Sequence, residues 1–273
     1  MKILCLDGGG VFGILQARIL AECDLEKFDV IVGTSIGSAI GASIALGHDP
    51  KELPEFFHEW MPKIFKKSIR SWSPLNSKYS DKGLNSALRN LFGSSRMGDT
   101  KVPLFITCSD VSRVGLRVFD STYWGDARTP MWEVVRCATA AQTFFPPWNG
   151  LADGGVFANN PSMVGVAAVS RTMGVPVEDL DILSIGTGEV YKTNMKTGKN
   201  VVFWGKWLIN ALLNGASDQM HDYFVRSLPV SRYTRIQPPQ PEGLSFDSYK
   251  DMLKAEIFWE DAIASSIHKV RSF

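Results

Sequence analysis

Residues 28–46 read FDVIVGTSIGSAIGASIAL, and this stretch decides the fold class. An apolar run over 28–32 leads into the turn GTSIG (33–37), and small and apolar residues continue over 38–46. A short apolar run, a glycine-containing turn and a longer run of small residues predict a strand that passes directly into a helix.

Further predicted strands and helices lie on both sides of this stretch. Strands are predicted over 3–6, 104–108, 116–119, 182–185 and 233–236, with another short one that ends at 151–152. Helices are predicted over 14–22, 131–141 and 161–172. Short strands that alternate with helices imply a mostly parallel sheet with both faces covered, so we expect an α/β fold.

The composition is that of a globular protein with enough apolar material for a sizeable core. The chain has 273 residues, of which 45% are hydrophobic and 21% charged. It contains no linker, repeat or low-complexity tract. We therefore expect a single domain over 1–273, with a cap-like insertion over 51–91 and a mainly helical C-terminal part over 201–273.

Charge and cysteine content narrow the class of protein. Lys and Arg number 29 and Asp and Glu 28, a net charge of +1, whereas a nucleic-acid-binding protein needs a strongly basic surface. The four cysteines form no Cys-x-x-Cys pair, which indicates reduced thiols in a cytosolic protein. No apolar run reaches the roughly 18 residues of a membrane span. We expect a cytoplasmic protein whose membrane contact, if any, is peripheral.

The glycine-rich run DGGGVFG (7–13), here called the glycine loop, fits the G-x-G-x-x-G pattern of dinucleotide sites. A nucleotide-binding module is therefore one alternative. Two features argue against it: the Asp7 carboxylate would repel a pyrophosphate, and Asp29 begins the second strand rather than ending it. The loop instead offers backbone N–H groups at a helix N-terminus, suited to an anion or an oxyanion.

The turn at 33–37 places Ser35 in a G-x-S-x-G pattern between a strand and a helix, which is the context of a nucleophile elbow. Gly33 and Gly37 permit a tight turn and a close approach of neighbouring chain. An ordinary N-cap serine on a glycine-rich turn would give the same pattern. Both interpretations are open on the motif alone.

A serine nucleophile needs a base. The four histidines, predicted at surface or helix-end positions, are His48, His58, His221 and His268. Only His221, beside Asp222, is a candidate for a triad. Asp153-Gly154-Gly155 closes a predicted strand and offers a carboxylate that can point into the same crevice as Ser35, although such a sequence is most often a simple turn.

Three ordered motifs together resemble the patatin-like phospholipase family. They are Asp7-Gly8-Gly9-Gly10-x-x-Gly13, Gly33-x-Ser35-x-Gly37 and Asp153-Gly154-Gly155. The flanking sequences agree: ATAA (138–141) before FFPP (144–147), then NNP (159–161) and SIGTG (184–188). The resemblance covers 1–188, and the remainder fits the family only loosely.

The resemblance implies a three-layer α/β/α sandwich and a lipid acyl hydrolase that needs neither cofactor nor metal. Ser35 would attack a phospholipid ester, Asp153 would act as general base, and the N–H groups of Gly8, Gly9 and Gly10 would hold the oxyanion. A general carboxylesterase or thioesterase is the nearest alternative. The family often has Lys or Arg where this chain has Phe12, which puts a preference for anionic head groups in doubt.

Aromatic and basic residues are mixed in the cap-like insertion. Its bases are Lys63, Lys66, Lys67 and Arg70, and its aromatic residues include Phe56, Phe57, Trp60, Phe65 and Trp72. We favour a cap helix that buries its aromatic face. The alternative is an interfacial lid on an anionic bilayer. The stretch 201–213, with Phe203, Trp204 and Trp207 around Lys206, has the same two interpretations.

Overall fold

The computed structural model describes residues 1–66, 76–189 and 216–273, together with 203–204, 207–208 and 211. The strands are β1 (Lys2–Leu6), β2 (Val30–Thr34), β3 (Leu104–Asp110), β4 (Gly115–Asp120), β5 (Leu151–Asp153), β6 (Asp181–Ile185) and β7 (Arg232–Ile236). The helices are α1 (Ile14–Leu20), α2 (Ile36–Leu46), α3 (Leu53–Ile64), α4 (Lys82–Phe92), α5 (Trp124–Ala127), α6 (Met131–Ala138), α7 (Gly155–Ala158), α8 (Ser162–Met173), α9 (Ala216–Ser227), α10 (Tyr249–Phe258) and α11 (Glu260–Arg271).

The strands form one sheet in the order β4-β3-β2-β1-β6-β7, and β5 also pairs with β3. The pairs β1–β2, β2–β3, β1–β6 and β6–β7 are parallel. The pairs β3–β4 and β3–β5 are antiparallel. The prediction of a mostly parallel α/β sheet is confirmed.

Helices cover both faces of the sheet. Successive side chains of a strand point to opposite faces, so apolar residues at consecutive positions need a partner layer on each side. Leu4 and Leu6 of β1 point into a core shared with α1, α2, α6 and α11. Ile3 and Cys5 of the same strand point into a second core, where they meet Val166 of α8 and Val225 of α9. The molecule therefore has the three layers, helix, sheet and helix, that the resemblance implied.

The sheet order places the glycine loop at a topological switch point. The chain leaves β1 toward β2 and β3 on one side, and β6 later pairs with the other side of β1. Leu6 lies opposite both Gly33 and Ile185, so the carboxyl ends of β1, β2 and β6 are level. Open α/β sheets bind ligands in the crevice at such a point.

The cap-like insertion contains α3 and α4 within its described residues. Helix α3 buries Phe57, Met61 and Ile64 against the main core. Phe56 and Trp60 are partly buried, and Lys63 and Lys66 are exposed. Lys67, Arg70 and Trp72 lie outside the described residues, as does most of the predicted helical stretch 201–213. Within the described ranges, none of the helices combines the length and apolar character needed to span a bilayer.

Candidate active site

Ser35 lies in a strained turn between β2 and α2. Its backbone has φ 52° and ψ −124°, a left-handed conformation that a residue with a side chain rarely adopts. The flanking glycines are required by close packing, because a Cβ on Gly37 would lie 2.3 Å from the Leu6 carbonyl oxygen and one on Gly33 2.6 Å from the Gly37 oxygen. The Ser35 side chain makes no capping hydrogen bond to α2, so the N-cap interpretation is wrong.

The Ser35 hydroxyl instead donates to Asp153. Ser35 Oγ lies 2.5 Å from Asp153 Oδ2, and the Gly155 N–H donates to Oδ1 at 2.8 Å. The Asp153 carbonyl oxygen accepts from Ser109 Oγ at 2.6 Å and from Gln142 Nε2 at 2.9 Å. Backbone and side chain of Asp153 are thus both held in place, with one carboxylate oxygen directed at the serine.

Strand pairing on β3 explains this contact. β4 occupies one edge of β3 over Phe105–Asp110, so β2 and β5 share the other edge. Thr34 of β2 is opposite Thr107, and Asp153 of β5 is opposite Cys108, the next residue along β3. The two strands run toward each other and end at adjacent positions. Asp153 does close a strand, as predicted, but that strand is antiparallel to the sheet's main direction.

The environment of Asp153 makes its carboxylate more basic than one in water. The residue is 3% exposed. Burial raises the pKa of Asp153 to about 6, and the hydrogen bonds from Ser35 and the Gly155 N–H lower it by less. At neutral pH the carboxylate is therefore ionised, with a proton affinity closer to that of a general base.

The three glycines predicted as oxyanion donors do not have equivalent surroundings. The Gly8 N–H donates to the Asn159 carbonyl oxygen at 3.1 Å. Gly9 and Gly10 line the pocket beside Ser35, and no backbone acceptor within the described ranges pairs with their N–H groups. Gly10 has φ 58°, a conformation that glycine adopts without strain.

A buried charge cluster lies beneath the glycine loop. Arg235 of β7 pairs with both carboxylate oxygens of Asp7, at 2.9 Å for Nη1–Oδ1, and with Asp218 of α9 at 2.6 Å. Burial raises the pKa of Asp7 to about 7; Arg235 opposes this shift and Asp218 adds to it. The Asp7 side chain is fully buried. Asp7 was expected to repel a pyrophosphate, but its carboxylate is buried against the Arg235 guanidinium and does not line the crevice.

Sequence reasoning missed Arg235 and Asp218 in this cluster. The sequence shows only that Arg235 lies within the strand predicted over 233–236, and a charged side chain there requires a partner if it is buried. Nothing in the local sequence identifies Asp7 as that partner, since 228 residues separate the two.

Phe12, where the family often has a basic residue, belongs to the core. Its ring is 4% exposed and packs edge-on against Trp259, with centroids 5.9 Å apart. The Trp259 indole N–H donates to the Pro239 carbonyl oxygen at 2.8 Å. The side chain at this position therefore contacts the C-terminal helices rather than the pocket beside Ser35.

The structure gives His221 a different partner from Ser35. His221 Nδ1 lies 2.6 Å from the Asn160 carbonyl oxygen, and the residue is buried rather than at the surface as predicted. His48 contacts Ser43, and His58 contacts Glu256. His268 is exposed near the end of α11.

A pocket opens beside Ser35 and Asp153. Its polar margin includes Gly9, Gly10 and Asn159. The rest of its wall is mainly apolar and comes from α3, α4, the loop after α6 and the segment before α10: Met61, Ile64, Phe65, Leu84, Phe144, Phe145 and Phe246. A narrow polar margin joined to an apolar wall suits a substrate with a reactive polar group on a hydrocarbon chain.

Comparisons with known proteins agree with this architecture. VipD from Legionella pneumophila has a similar fold, with a TM-score of 0.50 and 12% identity over 98% of this chain and 66% of that one. Patatin-like protein 4 of Arabidopsis thaliana is 28% identical over 262 residues, which are 77% of this chain and 65% of that protein. A cGAMP-activated phospholipase of Vibrio cholerae is 28% identical over 232 residues, which are 70% of this chain and 65% of that protein.

This chain thus spans slightly less than two thirds of the length of these two relatives. The family model described as patatin-like phospholipase matches residues 4–165, more than half of the chain. The matched region contains the glycine loop, the turn at Ser35 and the Asp153 strand. The chain belongs to the patatin-like phospholipase family.

Proposed function

We propose that this protein is a phospholipase A-type acyl hydrolase in which Ser35 is the nucleophile and Asp153 the general base. The observation that carries the proposal is the 2.5 Å contact between Ser35 Oγ and Asp153 Oδ2, made from a strained turn at the margin of an apolar pocket. A nucleophile within hydrogen-bond reach of an oriented base is the arrangement that acyl transfer needs.

In the first half of the reaction, Ser35 Oγ attacks the ester carbonyl carbon while its proton passes to Asp153 Oδ2. The carbonyl oxygen becomes an oxyanion, which the N–H groups of Gly9 and Gly10 stabilise. We assign Gly8 to the support of this loop, because its N–H already donates to Asn159. When the tetrahedral intermediate collapses, the alcohol leaves with the proton from Asp153, and the acyl group remains on Ser35.

In the second half, a water molecule attacks the acyl-enzyme and gives its proton to Asp153. Collapse of this second intermediate returns the proton to Ser35 Oγ and releases the fatty acid. The buried carboxylate, with its pKa raised to about 6, is a better proton acceptor than one in water. Loss of one oxyanion donor typically costs about 3–4 kcal/mol, so the backbone N–H groups carry a large part of the rate.

The pocket supports a lipid as the substrate class. Its apolar wall suits an acyl chain, and one relative is named a phospholipase. Lys63, in the last turn of α3, and Lys66, two residues after that helix, are exposed, which supports peripheral contact of a cytoplasmic protein with an anionic membrane. The same dyad would also cleave a simple carboxylic ester or a thioester, so the substrate test includes these.

The test is hydrolysis of p-nitrophenyl esters, an acyl-thioester and mixed phospholipid vesicles by purified protein, with Ser35→Ala as the matched control. We expect release of fatty acid and lysophospholipid, detected by mass spectrometry, and none from the variant. Hydrolysis of the soluble ester or thioester alone would favour the carboxylesterase or thioesterase alternative. Turnover equal in the variant and the wild type would contradict the proposal.

A further inference from the structure

Segment 245–247, which precedes α10, crosses the glycine loop and reaches the substrate pocket. The Phe246 carbonyl oxygen accepts the Val11 N–H at 2.8 Å, and a Cβ on Gly10 would lie 2.3 Å from that oxygen. The Phe246 ring lines the pocket and packs on Phe144 with centroids 4.7 Å apart. One residue therefore contacts both the proposed oxyanion donors and the apolar wall.

The next residue, Asp247, anchors this segment. Its carboxylate accepts the Tyr79 hydroxyl at 2.8 Å and forms an ion pair with Lys78 Nζ, while Ser245 Oγ donates to the other oxygen. Asp247 is 6% exposed. These hydrogen bonds outweigh the effect of burial and hold the pKa of Asp247 below its usual range. A buried carboxylate with three donors fixes its own backbone and that of Phe246.

The partners of Asp247, Lys78 and Tyr79, pack against the aromatic residues that line the same pocket. The Tyr79 ring lies 5.3 Å from Phe65 and 5.8 Å from Phe145, centroid to centroid. The Lys78 ammonium lies 4.9 Å from the centroid of the Phe144 ring. The backbone is joined as well, since the Tyr79 N–H donates to the Phe144 carbonyl oxygen at 2.9 Å. Through Lys78 and Tyr79, Asp247 thus connects segment 245–247 to the aromatic residues of the pocket wall.

We propose that Asp247 is a positioning residue. Through Phe246 it fixes the position of the glycine loop relative to the aromatic wall of the pocket, and so determines acyl-chain preference. Residues 245–247 lie beyond the 4–165 that the family model matches. The inference rests on the proposed function, because it assigns the apolar wall to the acyl chain. Asp247 itself touches neither Ser35 nor Asp153.

The physical reason is that segment 245–247 contacts both the glycine loop and the aromatic wall, so its position sets one relative to the other. The Asp247 interactions fix Phe246, whose carbonyl bonds the loop and whose ring closes the wall. Without the carboxylate, Phe246 is free to move relative to Phe144, and the wall no longer holds a long chain in one position. A short ester, which reaches only the polar margin, depends less on the wall. Loss of Asp247 should therefore affect long-chain substrates more than short ones.

The experiment compares wild type with Asp247→Asn, which keeps the side-chain shape, and with Tyr79→Phe, which removes a single hydroxyl. The readout is the ratio of kcat/KM for p-nitrophenyl decanoate to that for p-nitrophenyl butyrate. We expect this ratio to fall about tenfold in Asp247→Asn, in line with the cost of misplacing reacting groups, and less in Tyr79→Phe. Arg226→Met, which breaks an exposed ion pair with Asp222 on α9, is the control and should keep the wild-type ratio.

A binding measurement separates this inference from the proposed function. In a Ser35→Ala background, affinity for a fluorescent long-chain fatty acid, cis-parinaric acid, should fall when Asp247→Asn is added. If the wild type hydrolyses no ester but this affinity falls, the positioning role stands and the proposed function fails. If the wild type is active and Asp247→Asn folds with unchanged ratio and affinity, the positioning role is refuted. Should Asp247→Asn not fold, an unchanged ratio in Tyr79→Phe refutes it equally.

Discussion

Ser35 and Asp153 meet because β2 and β5 lie end to end along one edge of β3, each approaching from the opposite direction. The two residues are 118 positions apart in the chain. Ser35 directly follows Thr34, which is opposite Thr107, and Asp153 ends β5 opposite Cys108, the next residue of β3. β3 therefore sets the distance between the proposed nucleophile and its base. The strained backbone of Ser35 then directs its hydroxyl toward the Asp153 carboxylate.

The proposed base gives a definite pH dependence. Asp153 must be ionised to accept the Ser35 proton, and its pKa is raised to about 6. We expect kcat/KM for a soluble ester to be constant above pH 7 and to fall about tenfold per pH unit below pH 6. A pH–rate profile measures this.

Asp7, with a pKa of about 7, provides the control for that profile. Its carboxylate pairs with Arg235 and does not contact Ser35. The Asp7→Asn variant should keep the inflection near pH 6, whatever its absolute rate. A profile whose inflection disappears in this variant would assign the titration to Asp7 instead of Asp153.

The raised pKa of Asp153 also lowers the free energy of unfolding at neutral and alkaline pH. Because the folded-state pKa lies above the unfolded value of 3.8, the stabilising contribution is present below about pH 4 and is lost as the pH rises through 6. At pH 8 the loss is about 3 kcal/mol. Asp153→Asn should therefore be more stable than wild type at pH 8, with the difference decreasing toward pH 4. Urea unfolding at both pH values tests this, and an equal difference at the two would contradict it.

The buried cluster beneath the glycine loop should dominate the electrostatic stability. Arg235→Met leaves the buried Asp7 and the partly exposed Asp218 without their cation, and loss of the partner of a buried charge typically costs about 3–5 kcal/mol. Lys63→Met is the matched control, because the Lys63–Glu59 pair is more than half exposed and such pairs contribute at most about 1 kcal/mol. Denaturant unfolding of the two variants provides the comparison. Equal losses of unfolding free energy in the two variants would show that Arg235 does not compensate the buried charge of Asp7.

Much of the fold could be predicted from local patterns, whereas the partners across the sheet could not. The predicted strand over 182–185 is β6 to within one residue, because a short apolar run between turns is a local signal. Ser35 was identifiable for the same reason, since its turn is contained in five residues. The antiparallel direction of β5 depends on pairing with a distant strand, and a three-residue strand carries no periodicity that reveals it.

The same distinction applies to the side chains around the site. Asp153 was found by its motif, but its neighbours Ser109 and Gln142 come from other elements and have no motif of their own. Arg235 and Phe246 contact the glycine loop from the C-terminal part of the chain, where the family motifs give no guidance. Their roles follow only from the packing of β7 and of segment 245–247 against residues near the start of the chain.

Phe12 should not tolerate the basic residue that is common at this position in the family. Its ring packs against Trp259 in the core, so Phe12→Arg would bury a charge without a partner and remove an aromatic contact. We expect destabilisation of more than about 3 kcal/mol, against about 1 kcal/mol for Phe12→Leu. Thermal and urea unfolding measure the difference. A stable Phe12→Arg variant with increased activity on anionic lipids would show that the position faces the substrate.

The central claim, that Ser35 and Asp153 act as one unit, is tested most directly by the kinetics of Ser35→Ala, Asp153→Asn and the double variant, with His221→Asn as control. The account predicts that each single change lowers kcat/KM for a soluble ester by about 10³-fold or more, and that the double variant is no slower than the slower single one. It also predicts that His221→Asn retains a rate close to wild type. Substantial activity in Asp153→Asn, or a loss in His221→Asn as large as that in Ser35→Ala, would contradict the claim.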